Sequence, residues 1–393
     1  MSRRSWVAAL LAVALVGATA CSSGGKPAPE VLHPDWSEVT LPVPAGPAGR
    51  VVVRDAAACG TTWYVVGAVA SPDGSTRPAA WSSSDGRAWR TIPIVAHQYY
   101  AKRAILYSVA CHGDALAVLG AKSGGAHGNP RVTAWHRAGD GSLRDAPVPF
   151  EIFGGPNAIA VSRIAGGAGG WTIAGGRTSG AAVWRSPDAT SYRLIDDDPQ
   201  LSSDTSRQTN AWDVTADGES AGWTAVGYAE VYGRLSPEPL AWNSTDGVHW
   251  QRQKVPPSTL GFADLERVVH AGDRMVAVGI RDKRFGSWER VGGTWRAAAS
   301  FGRLDPGRSS APSVTGLAVG PTQALATVSD GVHAGLWARD AQGHWRPVAM
   351  PTRPLASGDR LTTVAAGDSG ALLLSDDGTS GRVWLTTWNT LRP

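Results

Sequence analysis

The sequence predicts an all-β fold built from one four-stranded unit repeated seven times. Three observations carry this prediction. A tryptophan closing a short apolar run returns at a near-constant spacing. A second apolar run, usually ending in glycine, precedes each of these tryptophans. A turn and another large residue follow most of them. The 393 residues include 48 Gly and 18 Trp, with only 18% charged. That balance suits many short strands joined by tight turns. Long amphipathic helical patterns are absent.

The anchoring tryptophans are Trp81, Trp135, Trp184, Trp242, Trp288, Trp337 and Trp384, spaced 46 to 58 residues apart. A period near 50 marks a propeller or a solenoid. The preceding runs are WYVVG at 63–67, LAVLG at 116–120, WTIAG at 171–175, WTAVG at 223–227 and MVAVG at 275–279. ALATVS at 324–329 and ALLLS at 371–375 hold the same place without the glycine. Such runs fit strands buried on both faces. Another apolar stretch lies before each, such as ILYSVA, AWDVTA or LERVVHA. After the anchor come Trp89, Leu143, Tyr192, Trp250 and Trp345, each eight positions on, and Trp295, seven on. Each unit therefore reads as four strands, and seven such units predict a seven-bladed β-propeller.

The turn between the last two strands has its own pattern, Ser-x-Asp-Gly-x-x-Trp. It is complete as Ser83, Asp85, Gly86 and Trp89, and again as Ser244, Asp246, Gly247 and Trp250. Ser186, Asp188 and Tyr192 fit with Ala in the Gly place, and Asp340, Gly343 and Trp345 keep a remnant. This pattern resembles the Asp-box, the BNR-type repeat of sialidase-like propellers. The resemblance implies a structural turn in which short polar side chains bond local backbone and Gly takes φ > 0. It does not imply a catalytic or metal role for the aspartates.

The seventh unit leaves little chain after Trp384 for a fourth strand. Residues 36–42, WSEVTLP, copy the strand after the turn: Trp36 precedes Pro42 by the six residues that separate Trp250 from Pro256 and Trp345 from Pro351. The N-terminal strand is expected to complete the last blade, so that 36–393 form one ring with fewer exposed edges.

The first residues give an address. Arg3 and Arg4 precede the apolar run Trp6 to Val16, which is too short to span a bilayer, and small residues lead to Ala18-Thr19-Ala20-Cys21. This resembles a bacterial lipoprotein signal, although the first lipobox position is usually Leu. The resemblance implies cleavage of 1–20 and a diacylglycerol on Cys21, anchoring the chain outside the cytoplasm. An ordinary secretory signal is the other reading. The paired arginines loosely resemble a twin-arginine signal and equally suit general secretion. Residues 21–35 read as a flexible tether. Cys59 and Cys111 end the first strands of adjacent units, which places them as neighbours near the axis. An extracytoplasmic chain would pair them as a disulfide, worth roughly 3–4 kcal/mol on the chain-entropy model.

Formal net charge is +4, and losing Arg3 and Arg4 leaves 35 basic against 33 acidic residues. The basic residues are scattered, without the stripe that nucleic acid requires. No cofactor motif is present. The Asp196-Asp197-Asp198 run reads as solvated loop, with Ca²⁺ as the minor reading. In a propeller the loops after the second strand and the links between blades share one face, which usually binds. Aromatics and arginines on these segments are Tyr99, Tyr100, Arg103, Arg207, Tyr228, Tyr232 and Arg281. Two functions follow. One is a membrane-anchored, non-catalytic binding or scaffold module for an envelope protein or glycan. The other is a sialidase-like glycoside hydrolase, in which Tyr228 or Tyr232 with Glu230 or Glu266 would supply the nucleophile pair. Against it, the chain lacks the early Arg-Ile-Pro, having RTIPI at 90–94.

Overall fold

A computed structural model describes residues 29–391, apart from 125–129, 219, 221, 260, 306, 308–309 and 357. Cys21 and the segment 1–20 lie outside the described residues. Seven sheets form a ring, each built on four antiparallel strands that run in sequence order in the first six and include the N-terminal strand in the seventh. Their innermost strands are Arg50–Cys59, Ile105–His112, Ala158–Gly167, Arg207–Ala216, Arg267–Ala271, Ser313–Val319 and Leu361–Gly367. Blade two adds a two-residue strand, Ile94–Val95, parallel to its outer strand Leu143–Asp145. The described helices are the short Phe150–Phe153 and a 3₁₀ turn at Ala101–Arg103. None of the described helices is long and apolar enough to cross a membrane.

The ring closes as expected. Ser37–Val39 pairs antiparallel with Gly381–Thr387, placing Glu38 opposite Trp384. The ordered chain begins before residue 36. Leu32 is buried and bridges Val348 of blade six, where its N–H bonds the Pro347 carbonyl.

There is no single central core. Buried side chains form seven clusters, each filling the wedge between neighbouring blades. Trp81, Trp135, Trp184, Trp242 and Trp288 are fully enclosed. Burying an aromatic of this size stabilises by a few kcal/mol. Four of these tryptophans also donate their indole N–H to the segment entering their blade: Trp81 to Pro42, Trp184 to Ile152, Trp242 to Gln200 and Trp288 to Pro256.

The recurrent glycine has a geometric cause. A Cβ at Gly67 would meet the Val52 carbonyl oxygen at 1.9 Å, and one at Gly227 the Asn210 oxygen at 1.9 Å. Directly opposite, the innermost strand carries a bulge, between Val53 and Asp55 in blade one and between Ala211 and Asp213 in blade four. The glycine lets the bulged strand come close. Blade seven has Ser375 in that place, and its inner pair runs without a register shift.

The two complete turns bond as their chemistry requires. Asp85 Oδ1 accepts the Ser83 hydroxyl and the N–H groups of Arg87 and Ala88, while Trp89 Nε1 donates to the Gly86 carbonyl. Asp246 and Trp250 repeat these bonds with Ser244, Val248, His249 and Gly247. Gly86 and Gly247 sit at φ 71° and 73°, and Ala189 holds the same place at φ 61°. Cys59 and Cys111 are disulfide-bonded between blades one and two, with Cα atoms 5.8 Å apart.

Candidate binding site at the mouth of the central channel

Each bulge delivers two consecutive residues to the axis. The residue after the bulge is Asp55, Ser108, Arg163, Asp213 or Gly316 in blades one to four and six. Arg267, at the start of an inner strand that pairs without a register shift, holds the corresponding place in blade five. Several of these stitch one blade to the next. Asp55 accepts the Val109 N–H at 2.9 Å, Ser108 the Ile164 N–H at 3.2 Å and Asp213 the Val268 N–H at 3.0 Å. Arg163 crosses the channel to Asp55 at 2.8 Å and lies 3.8 Å from Asp213. Buried acids and cations are tolerated here because each has a partner.

Arg267 differs. Its guanidinium donates to the carbonyls of Glu266 at 2.6 Å and Thr315 at 3.5 Å, and it has no ion pair among the described residues. Burial, followed by the neighbouring Arg163 charge, pulls its pKa below the usual guanidinium value.

Above this belt the channel opens into two cavities of about 800 and 510 Å³ that share Trp212, Arg267, Thr315 and Leu361. They lie on the face of the links between blades and the loops after the second strands. The larger has apolar walls from Trp212, Tyr228, Leu235, Phe262 and Leu304, and carboxyls from Glu230, Asp264, Glu266 and Asp282. The smaller is lined by Arg54, Tyr107, Phe153 and Arg163. Arg54 is held by Asp376 at 2.7 Å. In the larger cavity burial pushes the Asp264 carboxyl up to about 6, although it accepts the Ile280 N–H at 2.8 Å. Glu266 is raised by burial first and by the Asp264 charge second; its Oε2 accepts the Val314 N–H at 2.5 Å.

The structure sorts the residues expected on this face. Tyr228 lines the larger cavity, its ring 5.9 Å from that of Trp212. Tyr232 stands exposed outside the cavity lining. Arg281 does not present itself to a ligand. It bonds Ser300 and the Ala298 carbonyl and lies over the Trp288 ring at 5.4 Å, all within blade five. Arg207 sits beside Asp204 at the start of its strand, at 3.9 Å. Tyr99, Tyr100 and Arg103 pack on one another away from the mouth, with Arg103 4.0 Å over the Tyr99 ring. In the acidic run, Asp196 lies 3.6 Å from Arg177, and Asp198 accepts the N–H groups of Gln200 and Trp250. No group of three metal-ligating side chains occurs among the described residues.

Tyr228, Glu230 and Glu266 do line one cavity, a convergence that spacing along the chain did not reveal. The Tyr228 hydroxyl makes no hydrogen bond to either carboxyl among the described residues. Trp212, Asp264, Arg267 and Asp282 were not anticipated. Trp212 and Arg267 have a sequence signal, a pair at one place in five of the seven units: RD at 54–55, YS at 107–108, SR at 162–163, WD at 212–213 and ER at 266–267; Asp264 and Asp282 have none.

No protein-family model matches the sequence, and no curated protein matches it. Solved propellers do resemble the fold. The β-propeller domain of the Trilobed protease from Pyrococcus furiosus aligns with TM-score 0.51 at 11% identity, over 85% of this chain and 93% of that one. The chain is a β-propeller. A prolyl endopeptidase aligns with TM-score 0.50 at 13% identity, over 86% of this propeller and 47% of the enzyme. Trypanosoma rangeli sialidase aligns with TM-score 0.45 at 11% identity, over 93% of this propeller and 59% of the sialidase. At these identities the likeness is one of fold.

Proposed function

We propose that this propeller is a lipid-anchored, extracytoplasmic binding module that takes an envelope protein or glycan at the mouth of its channel. One observation carries the reading. The mouth holds a cavity of about 800 Å³ with aromatic and aliphatic walls, on the face where the blades' loops converge. The polar groups beneath it are engaged in holding the ring together, as a binding scaffold requires. The disulfide between Cys59 and Cys111 accords with an oxidising compartment. The address itself rests on Arg3, Arg4 and the Ala18-Thr19-Ala20-Cys21 sequence.

A glycoside hydrolase is the second reading, favoured by the meeting of Tyr228, Glu230 and Glu266. Two features weigh against it. One oxygen of Glu266 is occupied by the Val314 N–H, and the arginines Arg54 and Arg163 are paired with Asp376 and Asp55.

Crosslinking and capture of the tagged, full-length protein from its own membranes tests the proposal. A partner captured by the wild type and lost with Tyr228→Ala and Phe262→Ala supports it. Hydrolysis of a sialoside or other glycoside, abolished by Glu230→Gln and Tyr228→Phe, would overturn it in favour of the enzyme.

A further inference from the structure

We infer that the larger mouth cavity receives a cation carried on an apolar stem, presented by a protein partner as the side chain of an exposed Arg or Lys. This rests on the binding reading above and names the partner's chemistry. Charge complementarity is the first support. Among the described residues, Glu230, Asp264, Glu266 and Asp282 line the cavity against one cation, Arg267. That guanidinium is turned to the carbonyls of Glu266 and Thr315 rather than to the carboxyls.

The carboxyls also keep unused acceptor capacity. Glu266 is nine-tenths buried and spends Oε2 on the Val314 N–H, and Oε1 has no hydrogen-bond partner among the described residues. Asp264 spends Oδ1 on Ile280, and Asp282 spends Oδ1 on the Ser258 hydroxyl. The Glu230 side chain makes no hydrogen bond or ion pair among the described residues. A bound ammonium or guanidinium would supply several donors to these oxygens at once.

The apolar walls suit the stem. Trp212 and Tyr228 lie 5.9 Å apart, and Phe262 and Leu235 stand exposed at the rim. Aromatic faces attract a cation, and aliphatic rims cover the methylenes of an Arg or Lys. An anion or a neutral sugar would meet repulsion or leave the acids unpaired.

The site is also held at a stability penalty, as binding sites often are. The backbone is not its source: Asp282 takes φ 60° as the first residue of the two-residue turn between the paired Arg281 and Arg284, an ordinary place for Asp. Burial raises Asp264 to about 6, and burial first and the Asp264 charge second raise Glu266. An incoming cation relieves that repulsion.

Titration calorimetry on the detergent-solubilised full-length protein tests this. The probes are a blocked pentapeptide with arginine between leucines, its citrulline counterpart, its glutamate counterpart, and butylguanidinium. The arginine peptide should bind at least tenfold more tightly than the citrulline and glutamate peptides and than butylguanidinium. Glu230→Gln, at an exposed position, should weaken it several-fold while leaving the thermal midpoint unchanged. Equal binding of the citrulline peptide overturns the cation, and equal binding of butylguanidinium overturns the protein segment. If the membrane partner is captured through the mouth while the arginine peptide fails to bind, this inference falls and the binding-module reading stands. If both fail, both fall.

Discussion

Trp81 donates its indole N–H to the Pro42 carbonyl at 2.7 Å, as Trp288 does to Pro256 at 3.0 Å. One bond lies within continuous chain between blades four and five. The other spans the junction where the N-terminal strand enters blade one. The same bond at both places means that residues 37–39 do the work of an ordinary outer strand. Removing residues 29–42 should therefore uncover the edge of Gly381–Thr387 and empty the sites of the buried Leu32 and Leu41. The expected result is a lower urea midpoint together with self-association on size exclusion. Trp81→Phe should cost about 1–3 kcal/mol, from the lost bond and the void beside it.

Reducing or deleting the Cys59–Cys111 bridge should lower the unfolding free energy by ~4 kcal/mol on the chain-entropy model, since the bridge spans 52 residues. Urea titrations of wild type and of Cys59→Ser with Cys111→Ser measure this. Wild type in reductant should approach the double variant.

Asp264 predicts a pH dependence of opposite sign to an ordinary salt-bridged acid. Its folded pKa is raised to about 6 by burial, so between the unfolded value near 3.9 and 6 the folded state binds more protons. Stability is then full below that window and is lost as pH rises through it. Glu266, Glu230 and Asp282 share the cavity with Asp264, and Arg267 is the one cation in its lining among the described residues. Asp264→Asn should stabilise the protein at pH 8 by about 2 kcal/mol and have little effect at pH 4. Thermal midpoints at the two pH values check this. In the same variant the arginine peptide should bind more weakly.

The turn aspartates behave in the usual direction. Backbone N–H groups and Ser83 hold Asp85 down to about 2, and Asp246 is also held low. Their contribution is present above the unfolded carboxylate value and is lost as pH falls toward 2. Asp85→Ala with Asp246→Ala should lower the thermal midpoint at pH 7, and the difference should shrink as the pH is taken to 2.

The blades were legible because their signals are local and repeated. The anchor tryptophans fill interblade wedges, and the glycine before them meets a bulge in blades one to four, so packing repeats the signal from blade to blade. The mouth was legible only in part. Tyr228 and Glu230 were named as loop residues and stand on the strand Trp223–Val231. Trp212, Asp264 and Arg267 belong to first strands and a link that read as apolar stretches, and they meet in one cavity only when neighbouring blades close on the axis. Arg281 misled because it ends the strand Arg274–Arg281 rather than standing in the loop, and it spends its donors on Ser300 and Ala298.

Hydrogen-exchange mass spectrometry of the propeller with its captured partner is the most direct test of a ligand-binding mouth. Protection should appear in 228–239, 258–267 and 310–315, the segments that wall the larger cavity. Protection confined to the opposite face, around the turns at 83–89 and 244–250, or to the Tyr99–Arg103 cluster, would contradict the account.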